Sequence, residues 1–234
     1  MLHQIKSFFN QFFPQYCVHC KKPVLITDNT LCSQCLGEIE YTQNCCPRCS
    51  SYTEEQSYCE ICNDREFYID KHISIAEYTG VIKNIVYALK FKNNVSIMHH
   101  INHIMLNAAG EFKIKSDIIT CVPIEKKNKW RRGFNQSQLM AVALANSMQI
   151  SFLNLLKINK KFKNQKELSY TNRFLAIIDK YALQKNQDLS GKQILIVDDV
   201  FTTGATLNEC ARVLKNNGAE KVYTISLARV RKIV

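Results

Sequence analysis

Apolar positions recur along this chain at two periods, one helical and one strand-like. Leu2, Ile5, Phe8, Phe9, Phe12 and Phe13 fall at helical spacing and Pro14 ends the segment, which predicts an N-terminal helix docked on its own fold. Residues 73–78 alternate like a strand, and Gly80 breaks the pattern. Ile82, Ile85, Val86 and Leu89 then share one helical face, and Ile97, Ile101, Ile104, Met105 and Ala108 share another. Residues 117–122 read as a buried strand closed by Pro123, and Asn135-Gln136-Ser137 opens a helix through Ala145. Residues 152–158 alternate and predict a further strand, whereas polar residues 180–188 predict a connecting segment. Ile194, Leu195, Ile196 and Val197 are consecutive apolar residues, the pattern of a parallel strand buried on both faces. A helix from Thr206 to Asn216 follows, with Leu207, Ala211 and Leu214 inward and Gly218 closing it, and then a last strand from Val222 to Ala228. Strands alternating with helices predict an α/β fold with a mostly parallel sheet over residues 71–234.

Charge divides the chain in the same place. The net charge of +11 is uneven: residues 1–70 carry 5 basic and 9 acidic side chains, while residues 71–234 carry 26 and 11. A basic domain attracts polyanions, nucleic acids among them. No run of 18 apolar residues exists, so no membrane span is expected, and no secretory signal opens the chain; a cytoplasmic location is the expectation.

Nine of the eleven cysteines lie between residues 17 and 62, most of them in C-x-x-C pairs. In a reducing compartment this clustering indicates metal binding. The pairs are Cys17/Cys20, Cys32/Cys35, Cys46/Cys49 and Cys59/Cys62. Each pair can place two thiolates on one zinc ion, and two pairs close a tetrahedral shell. Gaps of 11 and 9 residues within successive couples fit two ribbons in tandem, although pairing one with three and two with four stays open. His19 and Cys45 are spare, with Cys45 a possible substitute for Cys46. Eight thiolates leave no open metal position, so both zincs are expected to be structural. The expected organisation is therefore an N-terminal helix and double zinc ribbon over 1–70 and an α/β domain over 71–234.

The candidate chemistry sits after the run of four apolar residues. Asp198 and Asp199 stand at the carboxyl end of that strand, where open α/β sheets bind ligands. Adjacent carboxylates can accept hydrogen bonds from the two vicinal hydroxyls of a ribose. Thr202, Thr203, Gly204, Ala205 and Thr206 then form a small-residue turn into a helix, a setting that offers backbone N–H groups and hydroxyls to a phosphate. A second candidate lies after Pro123, where Lys126, Lys127, Lys129, Arg131 and Arg132 surround Trp130, the only tryptophan, with Phe134 close behind. Cations interleaved with aromatics suit a phosphate-rich or single-stranded nucleic-acid ligand. Lys157, Lys160, Lys161, Lys163 and Lys166 make a second basic run. His99 and His103 stand one helical turn apart but lack a third ligand, so a solvated role is expected. Walker A and G-x-G-x-x-G spacings are both missing.

The stretch Ile194–Thr206 resembles the phosphoribosyl pyrophosphate (PRPP) loop of type I phosphoribosyltransferases, with Phe201 where those enzymes usually carry a smaller aliphatic residue. Paired C-x-x-C ribbons, Leu89-Lys90-Phe91, Val122-Pro123-Ile124, Arg132-Gly133-Phe134-Asn135-Gln136 and Val197-Asp198-Asp199 follow in an order similar to the ComF competence family, of ComFC type. Gln165, Leu168 and Arg173 agree with that family's pattern. Ala176 stands at an Asn position, and Asn93 and Asn94 stand where a Gly is usual. The resemblance implies that Asp198 and Asp199 hold the ribose of PRPP and that Thr202–Thr206 cradles its 5-phosphate. Pyrophosphate and Mg²⁺ would lie toward the Pro123 loop, where Lys129, Arg131 and Arg132 contact pyrophosphate or DNA. It further implies a role in natural transformation on internalised single-stranded DNA, with helicase and recombination partners. An active phosphoribosyltransferase with an unidentified acceptor is the alternative expectation.

Overall fold

The computed structural model describes residues 15–24, 30–54, 57–63, 66–159, 177–184 and 187–230, with the side chains of Glu60 and Ile61 left aside. The helix expected over 2–13 and the lysines from 160 to 166 lie outside the described residues. Two short strands, β1 (Gln15–Tyr16) and β2 (Pro23–Val24), and two short helices, α1 (Ser33–Gly37) and α2 (Glu60–Asn63), belong to the cysteine-rich part. The remainder runs β3 (Lys71–Glu77), α3 (Gly80–Phe91), α4 (Met98–Glu111), β4 (Ile118–Cys121), α5 (Lys126–Arg132), α6 (Gln136–Met148), β5 (Ser151–Phe152), β6 (Leu156–Ile158), β7 (Tyr181–Leu183), β8 (Gln193–Phe201), α7 (Ala205–Lys215) and β9 (Lys221–Arg229).

Five strands form one parallel sheet in the order β3-β9-β8-β4-β5. Side chains alternate across it, as the period of a strand requires. Ile73, Ile75, Ile119, Leu195, Val197, Ile225 and Leu227 share one core with α3, α4 and α6. Ile194, Ile196 and Val222 share the other with Leu207, Cys210, Ala211 and Leu214 of α7. Burial on both faces explains the unbroken apolar run from Ile194 to Val197.

The cysteine-rich part completes both cores and also closes an edge. Cys17, Val18, Leu31, Cys35 and Ile39 pack in the first core, while Cys46, Cys49 and Cys62 pack in the second. On its inner side strand β3 pairs with β9. On its outer side the Thr42 amide donates to Ile75 O at 3.0 Å and the Glu77 amide donates to Glu40 O at 2.9 Å. The His72 amide donates to Pro47 O at 3.0 Å, and Ser50 Oγ donates to His72 O at 3.2 Å while accepting from the Ser74 amide at 2.9 Å. The backbone groups of an exposed sheet edge are thus satisfied within the chain.

Three local expectations are corrected. The basic stretch after Pro123 is the two-turn helix α5 and not a loop; it buries no side chain, so it shows no apolar period. Its end is set by Gly133, in the left-handed region at φ 78°, whose amide donates to Lys129 O at 2.8 Å. Residues 152–158 are two strands: β5 joins the main sheet, and the break at Leu153–Leu155 sends β6 away to pair antiparallel with β7. Residues 181–183, expected to be connecting chain, form β7, with Tyr181 buried against Leu156 and Leu189.

Ser50→Ala removes the hydroxyl that serves two backbone groups of β3. An unpaired buried donor costs about 1–3 kcal/mol, so the variant should unfold at lower urea than the wild type by that amount, read from its unfolding midpoint.

Candidate functional site

The chain leaves β8 through α7 to β9 on one side, whereas β4 leads through α6 to β5 on the other. A crevice at such a switch point is where open parallel sheets place ligands. Asp198 and Asp199 stand there, the last polar residues of β8. Lys90, at the end of α3, donates to both oxygens of Asp199 at 2.9 and 2.8 Å, and both side chains are largely buried (20% and 14% exposed). Ser137 Oγ, in the first turn of α6, donates to Asp198 Oδ1 at 2.8 Å, and the Asp199 amide donates to the same oxygen at 2.9 Å. Burial, and secondarily the charge of Asp199, push the Asp198 carboxyl up to about 7, against the lowering effect of Ser137, the Asp199 amide and Lys90. Lys90 belongs to the Leu89-Lys90-Phe91 motif and Ser137 to the opening of α6, but neither was expected to meet the acids.

Beyond the acids the strand ends at Phe201, and a turn enters α7. Gly204 takes the position before the helix in the left-handed region at φ 80°, and its carbonyl accepts the first helical bond, from the Asn208 amide at 2.8 Å. The Ala205 amide donates to Thr203 Oγ1 at 3.3 Å. Thr202 is exposed, Thr203 and Thr206 are half-buried, and Gly204 and Ala205 are buried. Amides at a helix start and three hydroxyls are groups that can donate hydrogen bonds to an anion. Gly204 is required twice over. Its backbone is one that L side chains rarely adopt, and a Cβ there would lie 2.5 Å from Phe201 Cζ.

The stretch from Arg132 to Ser137 links the basic helix to the acids. Arg132 donates to Gln136 Oε1 at 3.1 Å, and its guanidinium lies 5.7 Å from the centre of the Phe91 ring. Asn135 caps α6 by accepting from the Ser137 amide at 3.1 Å, and its Nδ2 donates to Val122 O at 2.9 Å. That cap holds Ser137 against Asp198. Lys129 and Arg131 are exposed, and Lys129 lines a cavity of about 520 Å³ with Cys121, Pro123, Asn135, Asn154 and Leu156. Trp130 is 91% exposed. His99 and His103 are exposed; His99 lies edge-on to His100, and His103 Nε2 is 3.3 Å from Asn107 Nδ2.

The eight paired cysteines fall into two groups, Cys17, Cys20, Cys32, Cys35 and Cys46, Cys49, Cys59, Cys62. Successive pairs therefore combine, and the alternative cross-braced pairing is not the one adopted. Within each group all sulfurs lie within 4.8 Å of one another. Cys20 and Cys32 Sγ are 3.7 Å apart, and Cys49 and Cys59 Sγ are 3.6 Å apart. A zinc tetrahedron with bonds of about 2.3 Å has edges of about 3.8 Å, so both groups fit a closed structural zinc shell. Cys45 stays outside, donating to Gln43 O at 3.1 Å, and His19 Nδ1 meets Asn84 Nδ2 at 2.8 Å. Cys210 is fully buried in the second core, and burial pushes its thiol well above the usual range.

A family profile described as "Phosphoribosyl transferase domain" matches residues 89–232, and one described as "Double zinc ribbon domain" matches residues 8–63. The sheet, the crevice and the loop after β8 are thus those of a phosphoribosyl transferase domain, preceded by a double zinc ribbon. Competence protein F of Haemophilus influenzae is 30% identical over 93% of this chain and 98% of that protein. DNA utilization protein YhgH of Salmonella typhimurium is 28% identical (92% and 97%), and competence protein ComFC of Bacillus subtilis is 27% identical (88% and 87%). The chain belongs to the ComF family of competence proteins. Among the described residues no helix is long and apolar enough to cross a membrane.

Two measurements check the site. Elemental analysis should find two zinc ions per chain, falling to one in Cys17→Ser and in Cys49→Ser alike. The second concerns Asp198, whose carboxyl binds its proton more tightly folded than unfolded, because its folded value of about 7 exceeds the unfolded carboxylate range. Its contribution to stability is therefore full below about pH 4 and is lost as pH rises through about 7. Thermal melting should show Asp198→Asn gaining on the wild type steadily between those limits.

Proposed function

We propose that this protein is a competence factor acting on internalised single-stranded DNA in the cytoplasm, and that its loop after β8 holds PRPP or another phosphorylated ribose. In this reading Asp198 and Asp199 accept the ribose hydroxyls. Thr202, Thr203, Gly204, Ala205 and Thr206 take the 5-phosphate. Pyrophosphate, and the Mg²⁺ it brings, lie toward the Pro123 loop, with Lys129, Arg131 and Arg132 as cations for it or for DNA. Helicase and recombination proteins are the partners that the family resemblance suggests.

The observation that carries the DNA reading is Trp130. A tryptophan that is 91% exposed gains nothing from the fold, and it stands among Lys126, Lys127, Lys129 and Arg131 on a helix that itself buries nothing. An aromatic face flanked by cations suits stacked bases on a phosphate backbone. As the only tryptophan it also reports directly on its own environment. Single-stranded oligonucleotide should quench the intrinsic fluorescence, and the affinity should fall steeply with salt. Trp130→Ala should weaken binding, followed by anisotropy of labelled DNA, by about 1–3 kcal/mol. An unchanged affinity would remove Trp130 from the interface, and no binding at low salt would remove direct DNA contact.

A second reading, an active phosphoribosyltransferase, is favoured by the cavity of about 520 Å³ at the end of β4. Its wall of Asn135, Asn154 and Gln138 amides over Leu156 and Ile158 could seat an acceptor opposite the ribose. Pyrophosphate release from PRPP and Mg²⁺ across a panel of nucleobases tests turnover. A signal lost in Asp199→Ala would support it; a flat response in both proteins would defeat it for those acceptors.

A further inference from the structure

Phe201, the residue that sets this loop apart from the usual transferase pattern, is held on several sides. Its ring stacks on His72 of β3 with centroids 4.1 Å apart, and the Arg229 guanidinium lies 5.4 Å from its centre. Its Cζ and Cε2 would sit 2.5 and 3.0 Å from a Cβ on Gly204, so the ring fills the space directly beneath the phosphate loop. Strand pairing fixes the rest of the residue, because the Val230 amide donates to Phe201 O at 2.9 Å.

Both neighbours of the ring lead to the second cysteine cluster. Arg229, itself 5% exposed, donates to Cys49 O and to Ser51 Oγ. Cys49 thus supplies a sulfur to the cluster and a carbonyl to the arginine. The His72 amide donates to Pro47 O, between Cys46 and Cys49, and Ser50 Oγ donates to His72 O. The imidazole is locked from the other direction: Nδ1 lies 2.7 Å from Thr224 Oγ1, and Nε2 lies 2.9 Å from Ser74 Oγ, which is 2.7 Å from Ser226 Oγ. A contiguous chain of contacts therefore runs from the Cys46–Cys49 knuckle through Arg229 and His72 to Phe201 and on to Gly204. The first cluster lies outside it, since Cys17 and Cys35 pack in the opposite core.

We propose that the second zinc site and the phosphate loop are energetically linked through Phe201 and Arg229, acting as positioning residues for Gly204. The inference rests on the reading of that loop as a sugar-phosphate site and adds its regulation. With the metal in place the knuckle holds Arg229 and His72, and these hold the ring that supports the left-handed turn at Gly204. Loss of the metal releases Arg229 from its partners, and the loop loses its floor. Linkage is reciprocal, so a bound sugar phosphate tightens the hold of the second cluster on its metal.

The zinc-loaded full chain provides the test, with ribose 5-phosphate as the probe. Calorimetry measures its binding, and competition with a chromogenic chelator of known affinity measures the zinc affinities with and without it. Saturating ribose 5-phosphate should tighten one of the two zinc sites by about fivefold or more, the lower end of common coupling between sites, and leave the other unchanged. In Phe201→Leu the tightening should vanish at a ribose 5-phosphate concentration that still saturates the variant. Arg229→Lys, which keeps the charge but not the paired donors, should reduce it. Binding in the wild type with both zinc affinities unmoved would overturn the coupling and leave the phosphate site standing. Tightening that persists undiminished in Phe201→Leu would overturn the role of the ring. Absence of any binding would overturn the phosphate reading, and the coupling with it.

Discussion

Two neighbouring carboxylates at the end of a buried strand cannot both be taken from water without partners. That constraint organises the crevice. Lys90 meets Asp199 from the end of α3, and Ser137 meets Asp198 from the start of α6. Both helices are therefore fixed at the end that faces the site. Asn135 completes the arrangement by joining the start of α6 to the end of β4. The site is preorganised because the alternative, an uncompensated pair of charges in a low-dielectric crevice, is costly.

The zinc ribbons are part of the same construction. They contribute to both cores, and they hydrogen-bond along the outer side of β3. Asn208 of α7 accepts from the Tyr68 amide at 2.8 Å, which ties the segment after the second ribbon to the helix that begins after the Thr202–Gly204 turn. A closed thiolate shell gives a short segment the rigidity that its small share of apolar surface does not supply.

Much of this was legible in the sequence. Ile194–Val197 announced a doubly buried parallel strand, and the acids and threonines after it marked the candidate site. The cysteine spacing announced two metal shells, although the choice between couplings needed coordinates. What was not legible had no local signature. Helix α5 has no buried face, so periodicity could not find it. The break that divides 152–158 into β5 and β6, and the strand β7 that pairs with β6 across a long stretch of chain, carried no pattern of their own. Lys90 stood in a recognised motif and Ser137 at a helix start, but their contacts with the acids come only from what folding places opposite them. Phe201 was visible as a departure from pattern, but its reason lies in His72, Arg229 and Gly204, which are far apart in sequence.

The pairing along β3 also has an order in time. As the chain is made from its N-terminus, the outer-side partners of β3 already exist when that strand emerges: Ser50 precedes His72 by 22 residues, and Thr42 precedes Ser74 by 32. Its inner-side neighbour comes far later, with Thr224 lying 152 residues beyond His72. Contacts close in sequence form first, and an open strand awaiting a distant partner invites association with other chains. The ribbon thus occupies one side of β3 through most of synthesis, a nascent-chain escort encoded in the same polypeptide and left in place once the sheet is complete.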